Sequence, residues 1–133
     1  MLLTRDNLPQ TISDIAALDE LLCRPSQELI DDLRKVDGDI MILGVAGKMG
    51  PTLAGLAKAA VPERRVIGVA RFSDTAVEDW LRARGIETIL GPLPPSALAE
   101  AANVAQARWM FVAVPNGFEA GQIVDLIIEP FPA

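Results

Sequence analysis

Residues 39–50 read Asp-Ile-Met-Ile-Leu-Gly-Val-Ala-Gly-Lys-Met-Gly, an apolar run that gives way to three glycines spaced G-x-x-G-x-x-G and then to a helical pattern. Ile40, Met41, Ile42 and Leu43 suit a strand buried on both faces, and Pro51 to Ala60 suits a helix packed closely on a sheet. A glycine turn between them aims a helix N-terminus at whatever lies above the strand end. Free backbone N–H groups and the positive end of the helix dipole make that point a site for a phosphate or pyrophosphate. In such a loop Gly44 allows the tight turn, Gly47 lets a pyrophosphate approach the backbone, and Gly50 lets helix and strand pack closely. The loop residues Gly44, Ala46, Gly47, Lys48, Met49 and Gly50 are therefore the first candidate binding set. The simpler alternative is that the glycines only join a strand to a helix. A second strand ending at Ala70 weighs toward a dinucleotide-binding fingerprint.

Before this segment, Ser13 or Asp14 can cap a helix over Ile15 to Cys23, and Ser26 can cap another over Gln27 to Lys35. Leu18, Leu21, Leu22, Leu29, Ile30 and Leu33 fall at helical spacing and read as a packing stripe. Residues 1–36 form a helical arm that lies across the sheet or against a partner subunit; residues 37–133 form the main domain. After the first crossover helix come a strand over Arg65 to Ala70, a helix over Asp74 to Arg84 stopped by Gly85, and a strand over Ile86 to Leu90. Val77, Trp80 and Leu81 face the core from that helix. A stiff Gly91-Pro92-Leu93-Pro94-Pro95 loop leads to a small helix from Ser96 to about Ala102. Trp109 to Val114 makes a fourth strand, stopped by Pro115, and Phe118 to Glu129 a last amphipathic helix. The alternation predicts an α/β fold, a Rossmann-like doubly wound parallel sheet of four or five strands in the order 3-2-1-4. The switch point then lies between strands 1 and 4, above the glycine loop.

Composition narrows the function classes. A chain of 133 residues, half of them hydrophobic, can bury one core. The net charge of −6 argues against a nucleic-acid surface, because phosphate backbones are held by clustered Lys and Arg. A single cysteine, Cys23, reads as a buried thiol and suits a reducing cytoplasm. No apolar run approaches the roughly 18 residues that a membrane span needs, so direct membrane insertion is not expected. The sequence has no histidine and no tyrosine, which removes histidine acid/base chemistry, histidine metal sites and a tyrosine general acid from consideration. Asp31-Asp32, adjacent on a helix, do not share a face and read as solvated charge, so no metal site is expected.

From about Leu21 to Leu90 the chain resembles the NAD-dependent epimerase/dehydratase family, the extended short-chain dehydrogenase/reductase group. The Gly-Val-Ala-Gly-Lys-Met-Gly-Pro-Thr-Leu-Ala, Arg-Arg-Val-Ile-Gly-Val-Ala-Arg-Phe-Ser-Asp and Gly-Ile-Glu-Thr-Ile segments carry that likeness, and Gly44, Gly47 and Gly50 match the family's G-x-x-G-x-x-G one for one. From about Ser96 to Ile128 the resemblance shifts to the nucleotide-binding domains that regulate potassium channels and Kef-type potassium/proton antiporters, the Kef/Trk type. There the fourth strand ends in a Val-Pro-Asn/Asp-like turn, here Val114-Pro115-Asn116. Both resemblances imply the same nucleotide fold.

The departures from the enzyme family concern its chemistry. Its Tyr-x-x-x-Lys acid/base pair has no counterpart in a chain without tyrosine, and Gly91-Pro92 stands where the family carries an acidic residue near adenine. Such a pair contributes about 10² to 10⁴ in rate, so the chain by itself should not turn over substrate. The end of strand 2 reads Ala70-Arg71-Phe72-Ser73. NAD-selective sites place Asp or Glu there, whereas Arg71 can pair with a 2′-phosphate and Ser73 can add a hydrogen bond, or Arg71 can simply be solvated. The expected cofactor is NADP or NAD, with a lean toward NADP. Lys48 meets a pyrophosphate oxygen or points into water; Val114 and Asn116 face the nicotinamide half of the cleft or form a plain turn. The expectations for partners are a dinucleotide, a homodimer formed through the last helix or the edge strand, and a membrane transporter if the second resemblance holds.

Overall fold

The computed structural model describes residues 1–91, and the backbone alone of residues 107–112. A short 3₁₀ turn, Arg5–Asn7, precedes helices α1 (Ile15–Leu22) and α2 (Gln27–Arg34). Strand β1 (Asp39–Leu43), helix α3 (Gly50–Ala60), strand β2 (Val66–Ala70), helix α4 (Thr75–Ala83) and strand β3 (Glu87–Leu90) follow. Strand β4 covers Ala107–Val112, two residues earlier than the sequence pattern suggests. Ala107 and Arg108 join because the ladder with β1 extends down to Asp39. The expected helices at 96–102 and 118–129 lie outside the described residues.

All strand pairs are parallel, and the order is β3-β2-β1-β4. The α/β class and parallel sheet agree with the expectation from sequence. Register pairs Ile40 with Val66, Met41 with Ile67, Ile42 with Gly68 and Leu43 with Val69. Alternation therefore sends Ile40, Ile42 and Val66 to one face, where they share a core with Ala54 and Ala57 of α3 and Leu81 of α4. Each such large apolar side chain, once buried, contributes about 1.5–3 kcal/mol. Met41 and Ile67, on the opposite face, are also fully buried.

Helix α3 can lie close to the sheet because its inward positions, Gly50, Ala54, Ala57 and Ala60, are small. Helix α4 starts on Asp74, whose side chain accepts from the Ala76 N–H at 2.9 Å, and stops at Gly85 with φ +73°. Its Val77 and Trp80 are half-buried against the core, as the spacing predicts, and Leu81 is buried.

In the arm, α1 and α2 pack against α3. Ile30 is buried and Leu21, Leu29 and Leu33 are half-buried, but Leu18 and Leu22 of the predicted stripe are exposed. Cys23 is half-buried against Thr52 and Gly55 of α3, and burial raises its thiol pKa. At the N-terminal ends of the strands, the Arg65 guanidinium donates to both carboxylate oxygens of Glu87, at 2.8 and 2.7 Å, and to Asp39 at 3.4 Å. One side chain thus bridges the feet of β1 and β3 from the residue that precedes β2.

Candidate functional site

The C-terminal end of β1 turns through Gly44 at φ +70°, a left-handed conformation that costs glycine little. The N–H groups of Gly44 and Val45 both donate to the Val69 carbonyl, at 2.8 and 3.2 Å, so the turn is anchored on β2. Val45 is fully buried, and the chain then rises into Ala46, Gly47, Lys48 and Met49, all exposed. The Gly47 N–H donates to the Gly44 carbonyl at 2.9 Å and the Gly50 N–H to the Gly47 carbonyl at 3.3 Å. Within the described residues the N–H groups of Ala46, Lys48 and Met49 have no acceptor.

The head of α3 is unlike the other α-helix starts. Asp14, Ser26 and Asp74 cap α1, α2 and α4 with side-chain oxygens. Met49, which precedes α3, provides no side-chain cap, and Pro51 adds no donor. Three main-chain donors without an acceptor among the described residues and the positive end of an 11-residue helix dipole therefore lie beside the C-terminal edge of the sheet. Gly50 is required by close approach, since a Cβ there would overlap the Val45 carbonyl group. Gly68 has a related role that sequence reading missed: a Cβ would sit 2.7 Å from a Val45 methyl. A glycine inside an otherwise β-branched strand is the signal that could have found it.

At the neighbouring strand end, Arg71 and Ser73 are exposed and flank Phe72, whose ring is buried with its backbone at φ +47°. A bulky residue in the left-handed region is strained, and such strain concentrates where a binding surface is shaped. Nothing in the residue pattern announces it. The Arg71 guanidinium has no hydrogen bond or ion pair among the described residues, and the same holds for the Lys48 ammonium. Both belong to the C-terminal edge, because Leu43 pairs with Val69 and Arg71 follows two residues later. The structure thus brings Gly44, Ala46, Gly47, Lys48, Met49 and Gly50 into one loop, with Arg71 and Ser73 at the adjacent strand end. Val114 and Asn116 lie outside the described residues.

Among the described residues no cluster of three or more His, Cys, Asp or Glu could hold a metal ion, and no helix is long and apolar enough to cross a membrane. What the arrangement can do chemically is bind an anion through main-chain donors. No polar side chain among the loop residues is placed as an acid or base.

No family model matches the chain, and no solved structure matches it. It is 30% identical over 103 residues to "Putative cation/proton antiporter YbaL" of Escherichia coli (strain K12). That match takes in 74% of this chain but 17% of the relative, so the chain spans less than a fifth of the protein it resembles. Of the two resemblances visible in the sequence, this similarity favours the one to potassium-transport regulatory domains over the one to epimerases and dehydratases.

Proposed function

We propose that the chain is a Rossmann-type regulatory nucleotide-binding domain of the class that serves cation/proton antiporters, and that it holds NAD(H) or NADP(H) without transforming it. The observation that carries this reading is the uncapped head of α3, where the N–H groups of Ala46, Lys48 and Met49 await an acceptor. A pyrophosphate there would take those donors, with the Lys48 ammonium within the same loop. The similarity to an antiporter adds the biological class, and the lack of tyrosine in the chain accords with binding in place of turnover. The full burial of Met41 and Ile67, on the face that α3 and α4 do not cover, supports a second layer and hence the doubly wound arrangement.

In this reading Arg71 and Ser73 face the adenosine ribose, and Val114 and Asn116 line the nicotinamide half. Bound nucleotide shifts the pairing of two domains, and that shift is passed to a membrane transporter. Isothermal titration with NADH, NAD, NADP, ATP and AMP tests the binding step. Binding of a dinucleotide is expected in the wild-type chain, and its loss in Gly47→Val by steric exclusion of the pyrophosphate. No binding by any of the five at millimolar concentration, or unchanged affinity in Gly47→Val, refutes the assignment.

A further inference from the structure

The first residues of the chain, the C-terminal end of α1, the flank of α3 and the C-terminal end of α4 meet around a cleft of about 830 Å³. That volume lies in the range of small-molecule sites. Its α3 lining, Gly55, Lys58 and Ala59, lies about 8–14 Å along the helix axis from Gly50 at 1.5 Å per residue, so the cleft is separate from the glycine loop. The N-terminal wall is tied down by the Leu3 N–H, which donates to the Pro25 carbonyl at 2.9 Å.

Charge in the cleft runs against the charge of the molecule. The lining carries Arg24, Lys58 and Arg84 against the single carboxylate of Glu20, in a chain of net charge −6. Glu20 is taken by Arg84 at 3.1 Å, and the Arg84 guanidinium also lies 3.5 Å over the Trp80 ring. The Lys58 ammonium donates to the carbonyls of Pro62 and Arg64, at 3.0 and 2.8 Å, which position it without neutralising it. Arg24 is half-buried, and its guanidinium has no hydrogen bond or ion pair among the described residues. Two positive charges in the lining are thus left unmatched beside apolar walls from Leu2, Pro25, Ile30 and Ala59. Holding such a charge partly out of water without an acceptor is costly.

We infer that this cleft binds a soluble organic phosphate monoester, its phosphate on Arg24 and Lys58 and its apolar body against those walls. A phosphate monoester carries about −1.5 to −2 charge at pH 7 and so matches both cations, whereas a carboxylate leaves one of them unmatched. The planar Arg24 fork suits two phosphate oxygens, and the Lys58 ammonium adds a point charge.

Titrating phenyl phosphate into the isotope-labelled full chain, with amide resonances as the readout, tests this independently of the glycine loop. Shifts are expected at Arg24, Gly55, Lys58 and Ala83, with the amides of Ala46 to Met49 unmoved. Inorganic phosphate and benzoate should each bind more weakly, the first for want of an apolar body and the second for want of charge. Arg24→Gln should weaken phenyl phosphate at least roughly tenfold and Arg24→Lys less, whereas Glu20→Gln should tighten it by freeing Arg84. Arg24 has no partner to lose, so the dichroism spectrum of Arg24→Gln should be unchanged. No shift at millimolar concentration, shifts confined to the glycine loop, or wild-type affinity in Arg24→Gln overturns the inference. Benzoate binding as tightly as phenyl phosphate overturns the ligand class. Vesicles containing phosphatidic acid should not retain the chain, and retention abolished by Arg24→Gln would overturn the soluble ligand in favour of a lipid headgroup.

Discussion

Replacing Gly50 by alanine isolates the contact that sets how close α3 comes to the strand it follows. A Cβ at this position overlaps the carbonyl oxygen, carbonyl carbon and Cα of Val45. All three are main-chain atoms, and Val45 cannot yield, because its side chain is fully buried and its N–H is held by Val69 at 3.2 Å. Alanine in place of glycine within a helix ordinarily gains about 1 kcal/mol. Displacing the helix start against a packed strand costs about 1–3 kcal/mol by overpacking, and about 3–4 kcal/mol when backbone meets backbone, as here. The steric term wins, and the net expectation is a loss of about 2–3 kcal/mol. At about 4 °C per kcal/mol for a chain of this size, the melting midpoint should fall by about 8–12 °C. Urea and thermal unfolding followed by circular dichroism measure it. Gly55→Ala is the control, since the added Cβ meets the ends of two side chains, Cys23 Sγ at 2.6 Å and Trp80 Cη2 at 3.2 Å. Those can swing aside, so its net change should stay within about 1 kcal/mol. A Gly50→Ala chain as stable as wild type, or less perturbed than Gly55→Ala, would refute the argument.

Three further outcomes follow from particular contacts. Asp74→Ala removes the cap of α4 and should destabilise the chain by about 1 kcal/mol in urea unfolding, while Asp74→Ser should recover most of it. The hydrogen bond from Arg65 holds the Glu87 carboxyl below the usual glutamate range. Its stabilising effect is therefore complete above the ordinary glutamate pKa and is lost as pH falls through the lowered value. Glu87→Gln should accordingly cost stability at neutral pH and flatten the acid limb of the stability profile. The effect should be small, because both side chains are about half exposed, and an unaltered acid limb would contradict the assignment. Arg71→Glu should weaken NADP more than NAD in calorimetric titration, by roughly tenfold for loss of a charge-assisted contact, and equal effects on the two would make Arg71 a bystander.

The central βαβ unit was legible because its cues are local. The apolar run at 40–43, the glycine spacing, the small residues along α3, and Asp74 and Gly85 at the ends of α4 each specify a backbone state without reference to distant residues. The packing stripe of the arm was legible only in part, for the opposite reason. Helical periodicity shows that Leu18 and Leu22 share a face, but only tertiary structure shows that α3 is met at Cys23 while that face is left bare. Phe72 was invisible because nothing in its neighbours demands a positive φ; its ring is drawn into the core and the backbone accommodates it. The unsatisfied donors of the loop were foreseen as a class. Which ones remain free depended on Gly47 and Gly50 bonding back along the chain, a detail that residue spacing does not encode.

The bridge made by Arg65 gives the sheet a mechanical polarity. Its lower rim is stapled across β1 and β3 by a single planar group, whereas the upper rim meets the solvent through a glycine turn and one contorted aromatic residue. A ligand seated at the top would therefore lie at the end of the sheet opposite that ionic bridge, with α3 leading from it to the arm at Cys23.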